Sequence, residues 1–253
     1  MEILTLAFFG IIFLAIIMEV IDSSLGMMYG TVLVPLLIGL GYSVMDIVPG
    51  ILLSQALGGV VASYKHHKFK NTSFSKKSED LKVAFIIFSL GIIAVIIGVF
   101  IGTLISKHIL SIYIASLMLV VGILVTLGIK MKFSWGKIYI LGFIASFNKA
   151  LSGGGFGPLV TSGQMIIGRN GKNSVGSTTI SEVEICLAAF IAWLILNNYI
   201  PNIPLMIALC LGAVVGGFIG PYILSKIKNL FLLTKLVGLM AILSGILALL
   251  KLL

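Results

Sequence analysis

Apolar residues arrive along this chain in long unbroken runs, and the polar residues gather in the gaps between them. Runs at 83–105, 109–129, 203–224 and 231–252 each reach the roughly 20 residues that a helix needs to cross a bilayer. Two more, 46–64 and 174–197, are as long but carry polar side chains. The first run, Ile3 to Met18, follows an acidic Glu2 in place of a basic leader, so it reads as a retained membrane segment and not a cleaved signal. Residues 4–24 and 138–151 each run into a glycine cluster. The apolar stretches beyond, Met27–Leu40 and Phe156–Ile167, hold only 14 and 12 residues. At about 1.5 Å per residue these reach roughly 20 Å, short of a hydrocarbon core of about 30 Å. They are predicted to be half-helices.

Composition turns this pattern into a class. Hydrophobic residues make up 59% of the 253 residues, charged residues 10%, and the mean hydropathy is +1.22. A soluble surface needs roughly a quarter of its residues charged. A soluble enzyme, a nucleic-acid reader and a disulfide scaffold are therefore excluded, and an all-α, polytopic transmembrane bundle is expected. Cys186 and Cys210 both sit inside apolar runs, with no disulfide or metal spacing.

The two halves match. Gly26, Gly30 and Gly41 recur as Gly153, Gly157 and Gly168, and Tyr29 recurs as Phe156, all displaced by 127. At the same offset Gln55 falls opposite Glu182, and Asp22 opposite Lys149. Gly98-Val-Phe-Ile-Gly102 recurs as Gly216-Gly-Phe-Ile-Gly220 at an offset of 118, and these glycines read as helix-packing faces. The chain is read as a duplication, 1–129 and 130–253. Each repeat then holds a glycine-broken helix or hairpin plus three spanning helices.

Six basic residues at 65–82, three at 130–137, two at 169–172 and three at 226–235 make 14 of the 17, which the positive-inside rule places in the cytoplasm. The net charge of +9 is thus mostly a topology signal. Each half crosses an odd number of times, the repeats are inverted, and both termini are expected outside, an arrangement that puts a binding site between the halves near the midplane. Whether the short segments span or are re-entrant is open.

Two constellations carry the chemistry. Glycine breaks at Gly26-Met27-Met28-Tyr29 and Ser152-Gly153-Gly154-Gly155-Phe156 expose backbone at membrane depth, which must be buried in protein or line a wet cavity. Half-helix N-termini following them would offer N–H groups and a positive dipole end to an anion. The second constellation is the set of ionisable residues at depth: Glu19, Asp22, Lys149, Glu182 and Glu184. Lys149 lies 12 residues beyond Lys137, about 18 Å into the bilayer, and either pairs with an acid, Asp22 or Glu182, or contacts the substrate. Glu182 shares a face with Thr178 and follows its glycine cluster at the 29-residue spacing by which Gln55 follows Gly26, which marks it, with Asp22, for proton coupling. Glu184 faces the other way and is read as structural.

Ser23, Ser24, Ser152, Thr161, Ser162, Gln164, Ser177 and Thr179 could ligate a substrate, but Ser and Thr in membrane helices bond chiefly to the backbone, which is the leading reading. His66, His67 and His108 are expected in solvated loops without metal-ligand spacing. No catalytic signature occurs, so no enzyme and no cofactor are expected.

Asp22-Ser-Ser-Leu-Gly-Met-Met-Tyr-Gly-Thr-Val-Leu-Val-Pro35 and Ala150-Leu-Ser-Gly-Gly-Gly-Phe-Gly-Pro158, with Gly176-Ser-Thr-Thr-Ile-Ser-Glu182 downstream, resemble the sulfite exporter TauE/SafE family of permeases over nearly the whole chain. The resemblance implies a prokaryotic plasma-membrane carrier of sulfite, sulfonate or related organosulfur anions. The first half departs from the family pattern: Gly26-Met-Met-Tyr-Gly30 replaces a fuller glycine triplet, and Gln55 stands where many members carry an acid. The expected protein is a secondary transporter of a small anion, with H+ and the bilayer as further partners and homo-oligomerisation open. An anion channel or the membrane subunit of a larger complex are the alternatives.

Overall fold

A computed structural model describes residues 2–102, 107–129, 131–152, 155–197 and 200–250. These form ten helices: α1 (Glu2–Leu25), α2 (Tyr29–Gly39), α3 (Val44–Lys68), α4 (Glu79–Gly102), α5 (Lys107–Thr126), α6 (Trp135–Ser152), α7 (Phe156–Ile166), α8 (Gly171–Asn197), α9 (Ile203–Lys226) and α10 (Leu230–Leu250). No strand occurs among the described residues. Lipid offers backbone amides no partners, so an apolar run becomes a helix that bonds to itself. Windows of α1, α3, α4, α8 and α9 are long and apolar enough to cross a membrane. Phe9, Phe13, Phe85, Ile96, Ile195 and Phe231 point outward, as a lipid-facing surface requires.

The two short runs form helices of 11 residues each, bounded by matching backbone devices. Each begins after a residue in the left-handed region, Met28 at φ 101° and Gly155 at φ 77°, 127 positions apart. Each is followed by a left-handed glycine, Gly41 at φ 90° and Gly168 at φ 93°, again 127 apart. The starts of α3 and α8 keep the same spacing.

Contacts fix where the hairpins enter. A methyl on Gly212, Gly216 or Gly220 of α9 would lie 2.6 to 2.8 Å from the carbonyl oxygens of Ile12, Ile16 and Val20 of α1. The two helices therefore run parallel with their backbones in contact. Asn202 N donates to Asp46 Oδ1 at 2.8 Å, which brings the start of α9 beside the start of α3 and hence beside the end of α2. The α1–α2 unit consequently enters and leaves at one end of the bundle. At the opposite end Met131 N donates to Ile166 O at 2.6 Å, joining the segment before α6 to the end of α7. The short segments are thus re-entrant, one hairpin from each end.

That second end also gathers the basic segments: Arg169 Nη1 meets Glu79 Oε1 at 2.8 Å, and Lys172 Nζ donates to Ser225 O at 3.1 Å. The histidine expectation needs correcting. His66 and His67 belong to the last turn of α3, where basic residues suit the helix dipole, and His108 belongs to α5. His66 is buried and pairs through Nδ1 with Asn71 Nδ2 at 3.2 Å, while Asn71 donates to Pro221 O at 2.8 Å.

Candidate functional site

The hairpin tips meet inside the bundle. Thr161 Oγ1 donates to Gly26 O at 3.0 Å, and a methyl on Gly157 would stand 2.5 Å from the same carbonyl. Main chain therefore packs on main chain, which is what the glycines permit. Tyr29, Phe156 and the two methionines go to three separate apolar clusters. Tyr29 packs with Leu33, Ile51 and Leu209, Phe156 with Leu52, Ile87 and Ile185, and Met27 and Met28 with Val125, Met165 and Val237. Tyr29 Oη also donates to Ser54 Oγ at 2.9 Å. Gly153 and Gly154 lie outside the described residues, as does the side chain of Ser152, the last residue of α6.

Beside the tips α3, α6 and α8 bring together Gln55, Lys149 and Glu182. Lys149 Nζ donates to Glu182 Oε1 at 2.8 Å and to Gln55 Oε1 at 2.7 Å, and Gln55 Nε2 donates to Glu182 Oε1 at 3.1 Å. All three are buried, with Lys149 only 2% exposed. A buried ammonium needs a counter-charge and hydrogen-bond acceptors, and this closed ring supplies the charge and two acceptors. Of the two candidate partners, Glu182 holds the lysine. A neutral amide suits position 55 because it accepts from the lysine and donates to the carboxylate at once; a second carboxylate would repel the first. Gln55 and Glu182, 127 apart in sequence, touch across the centre.

Asp22 does something else. Its Oδ1 accepts from Tyr29 N at 3.1 Å, so a carboxylate of this chain occupies the N-terminus of α2. The residue 127 positions on is Lys149, a donor, and no side chain of the N-cap Gly155 covers the start of α7. Glu19, buried one turn before Asp22, interacts electrostatically with Asp22, Glu182 and Lys149. Three carboxylates thus share one ammonium.

A hydroxyl seam continues from the tips along α7 and α8. Thr178 Oγ1 meets Thr161 Oγ1 at 3.1 Å and Gln164 Nε2 at 3.0 Å, and Ser177 Oγ donates to Gln164 Oε1 at 2.8 Å. Ser23, Ser24 and Thr179 bond to the backbone of their own helices. Ser162 Oγ is buried without a partner. Glu184 faces a groove with Lys76, Lys82 and Trp135, away from the ring. Sequence reasoning passed over Ser54 and Gly157 as site residues; the 127-residue offset marks Gly157, whereas nothing in the pattern marks Ser54.

A buried ring of charge beside two crossed hairpins, in an all-helical bundle, defines a multi-pass membrane protein organised round a polar centre. Residues 11–248 match the family described as Sulfite exporter TauE/SafE, and the chain belongs to that family. It is also similar to the probable membrane transporter protein YtnM of Bacillus subtilis (strain 168), with 25% identity over 197 residues, 72% of this chain. The matched stretch covers 63% of that relative's length.

Proposed function

We propose that the chain is a secondary transporter that moves a small oxyanion, a sulfite, a sulfonate or a related organosulfur anion, across the plasma membrane of a prokaryote, coupled to protons by alternating access. The observation that carries the reading is the ring of Lys149, Gln55 and Glu182 beside the crossed hairpin tips. An anion at the centre needs positive groups. Two of them, the Lys149 ammonium and the N-terminus of α2, are each held by a carboxylate of the chain itself, Glu182 and Asp22. Protonating those carboxylates frees both groups for the incoming anion, and losing the protons expels it. Proton and anion then bind together and leave together.

The half-helix that starts at Phe156 adds its amides to the same space, with Gly153, Gly154 and Gly155 allowing close approach. The spacing of 127 shared by the break residues, the ring pair and the following glycines supports an inverted duplication, 1–129 and 130–253. Hairpins entered from opposite ends would each gate one side as one repeat rocks against the other.

Reconstituted protein should take up labelled sulfite saturably, show counterflow, and accelerate when an inward proton gradient is imposed. In Glu182→Gln the gradient should no longer drive accumulation. An E182Q protein with wild-type rate and pH dependence would sink the coupling, and conductance without counterflow would make the protein a channel.

A further inference from the structure

The chain contains a single arginine among its 17 basic residues, Arg169, in the turn between α7 and α8 at the basic end of the bundle. Its side chain is only 4% exposed. Nη1 donates to Glu79 Oε1 at 2.8 Å, Nη2 is bound by Asp80 Oδ1, and Nε is buried with no hydrogen-bond partner among the described residues. Two cavities, of about 680 and 520 Å³, share Gly168, Arg169 and Asn170 as a common wall. We infer that Arg169 forms a second anion site at the cytoplasmic end, which takes a small oxyanion on its way to or from the midplane. The inference rests on the reading of the cargo as a small oxyanion.

The two carboxylates on Arg169 are held very differently. Asp80 also accepts from Thr72 Oγ1 at 2.7 Å, Ser73 N at 2.9 Å and Asn173 Nδ2 at 2.7 Å, so it is fixed. Glu79 has a side chain 58% exposed and stands at the first turn of α4. With Nη2 fixed on Asp80 and Nη1 held only by a solvated carboxylate, the guanidinium has Nη1 to offer an incoming anion. The planar guanidinium can keep Nη2 on Asp80 while Nη1 turns to an oxyanion, a division between two nitrogens that a lysine does not provide. Lys235 of α10 lines the larger cavity and adds a second positive charge. Lys172, the other basic residue of this segment, is engaged by the Ser225 carbonyl. Glu79 therefore acts as a stand-in for the ligand, displaced when the ligand arrives.

Purified full-length protein titrated calorimetrically with sodium sulfate, at ionic strength held constant with chloride, tests this. Glu79→Gln removes the competitor and should tighten sulfate binding by about threefold or more, on the scale of one partly exposed ion pair. Arg169→Lys keeps the charge but loses the second nitrogen, so Asp80 and the anion compete for one ammonium, and it should weaken binding by about tenfold, the scale of one charge-assisted hydrogen bond. The gain in E79Q cannot arise from misfolding. It should persist in a Lys149→Met background, where the midplane site is gone. An arm with short-chain phosphatidylglycerol tells a lipid phosphate from a free oxyanion: competition with sulfate assigns the pocket to headgroups, its absence to the soluble anion, and either keeps the site. Sulfate affinity unmoved by both E79Q and R169K, but abolished by K149M, would overturn the Arg169 site and leave the midplane reading standing. Affinity moved by R169K and E79Q but untouched by K149M would do the reverse.

Discussion

Lys149 shows how a residue can be conspicuous in sequence while its partner is not. One lysine at mid-membrane depth, far from every basic cluster, announces itself in an apolar chain. Choosing between Asp22 and Glu182 took three-dimensional distances, because helical periodicity says nothing about neighbours. Asp22 instead caps α2, a role fixed by the bend that brings Tyr29 N back to it. Arg169 and Asp80 were hidden for the opposite reason: among so many loop charges, their burial leaves no mark on the pattern. If the ring is an obligate unit, Lys149→Met strands Glu182 in a dry interior and should cost about 3–5 kcal/mol, the range for breaking a buried pair. Adding Glu182→Gln removes the stranded charge and should restore a substantial part. Thermal melts of the two single variants and the double variant in detergent measure the coupling; simple additivity would mean that the two side chains do not share an interaction.

At the scale of elements, the short apolar runs betrayed the half-helices by length alone, and α2 and α7 begin and end within two residues of the boundaries expected. Re-entrance was illegible because a short run tilted across a thinned bilayer has the same composition as one that turns back. Only knowing which end Ile166 reaches decides it. Met28 adds a cost that composition also conceals. A non-glycine at φ 101° stores about 1–3 kcal/mol of strain, held by the burial of its side chain among Val125 and Met165. The tip-to-tip contact makes the sharpest demand on this level. Gly157→Ala places a methyl 2.5 Å from Gly26 O, and backbone on both sides leaves no flexible atom to yield. The variant should lose about 1–3 kcal/mol of stability by overpacking and most of its transport, because the hairpins are pushed apart. Gly136→Ala, whose methyl would meet only Ser134 Oγ at 3.7 Å, should leave both close to wild type in the same melts and uptake assays. Equal losses from the two would show that the crossing is not what the glycine protects.

The whole molecule has one basic end, and the charge pattern alone foretold it. The loops at 69–78, 131–134, 167–170 and 227–229 converge where Arg169 meets Glu79 and Lys172 meets Ser225, while Asp46 and Asn202 meet at the other end. Convergence in space is a stronger statement than a count of lysines, since hydrogen bonds tie the loops and helix ends of this face to one another. The positive-inside tendency predicts that the basic face lies in the cytoplasm, with the hairpin formed by α6 and α7 opening toward it. Ser75 and Ile200 are exposed at the two faces. With Cys186 and Cys210 first replaced, Ile200→Cys should react with a membrane-impermeant maleimide in intact cells. Ser75→Cys should react only after the membrane is opened. The same reagent applied to inside-out vesicles should reverse the two. Labelling of Ser75→Cys in intact cells would turn the molecule over, putting the Arg169 pocket outside and making it the first anion site met by cargo on the way in; labelling of both positions from one side would contradict the bundle itself.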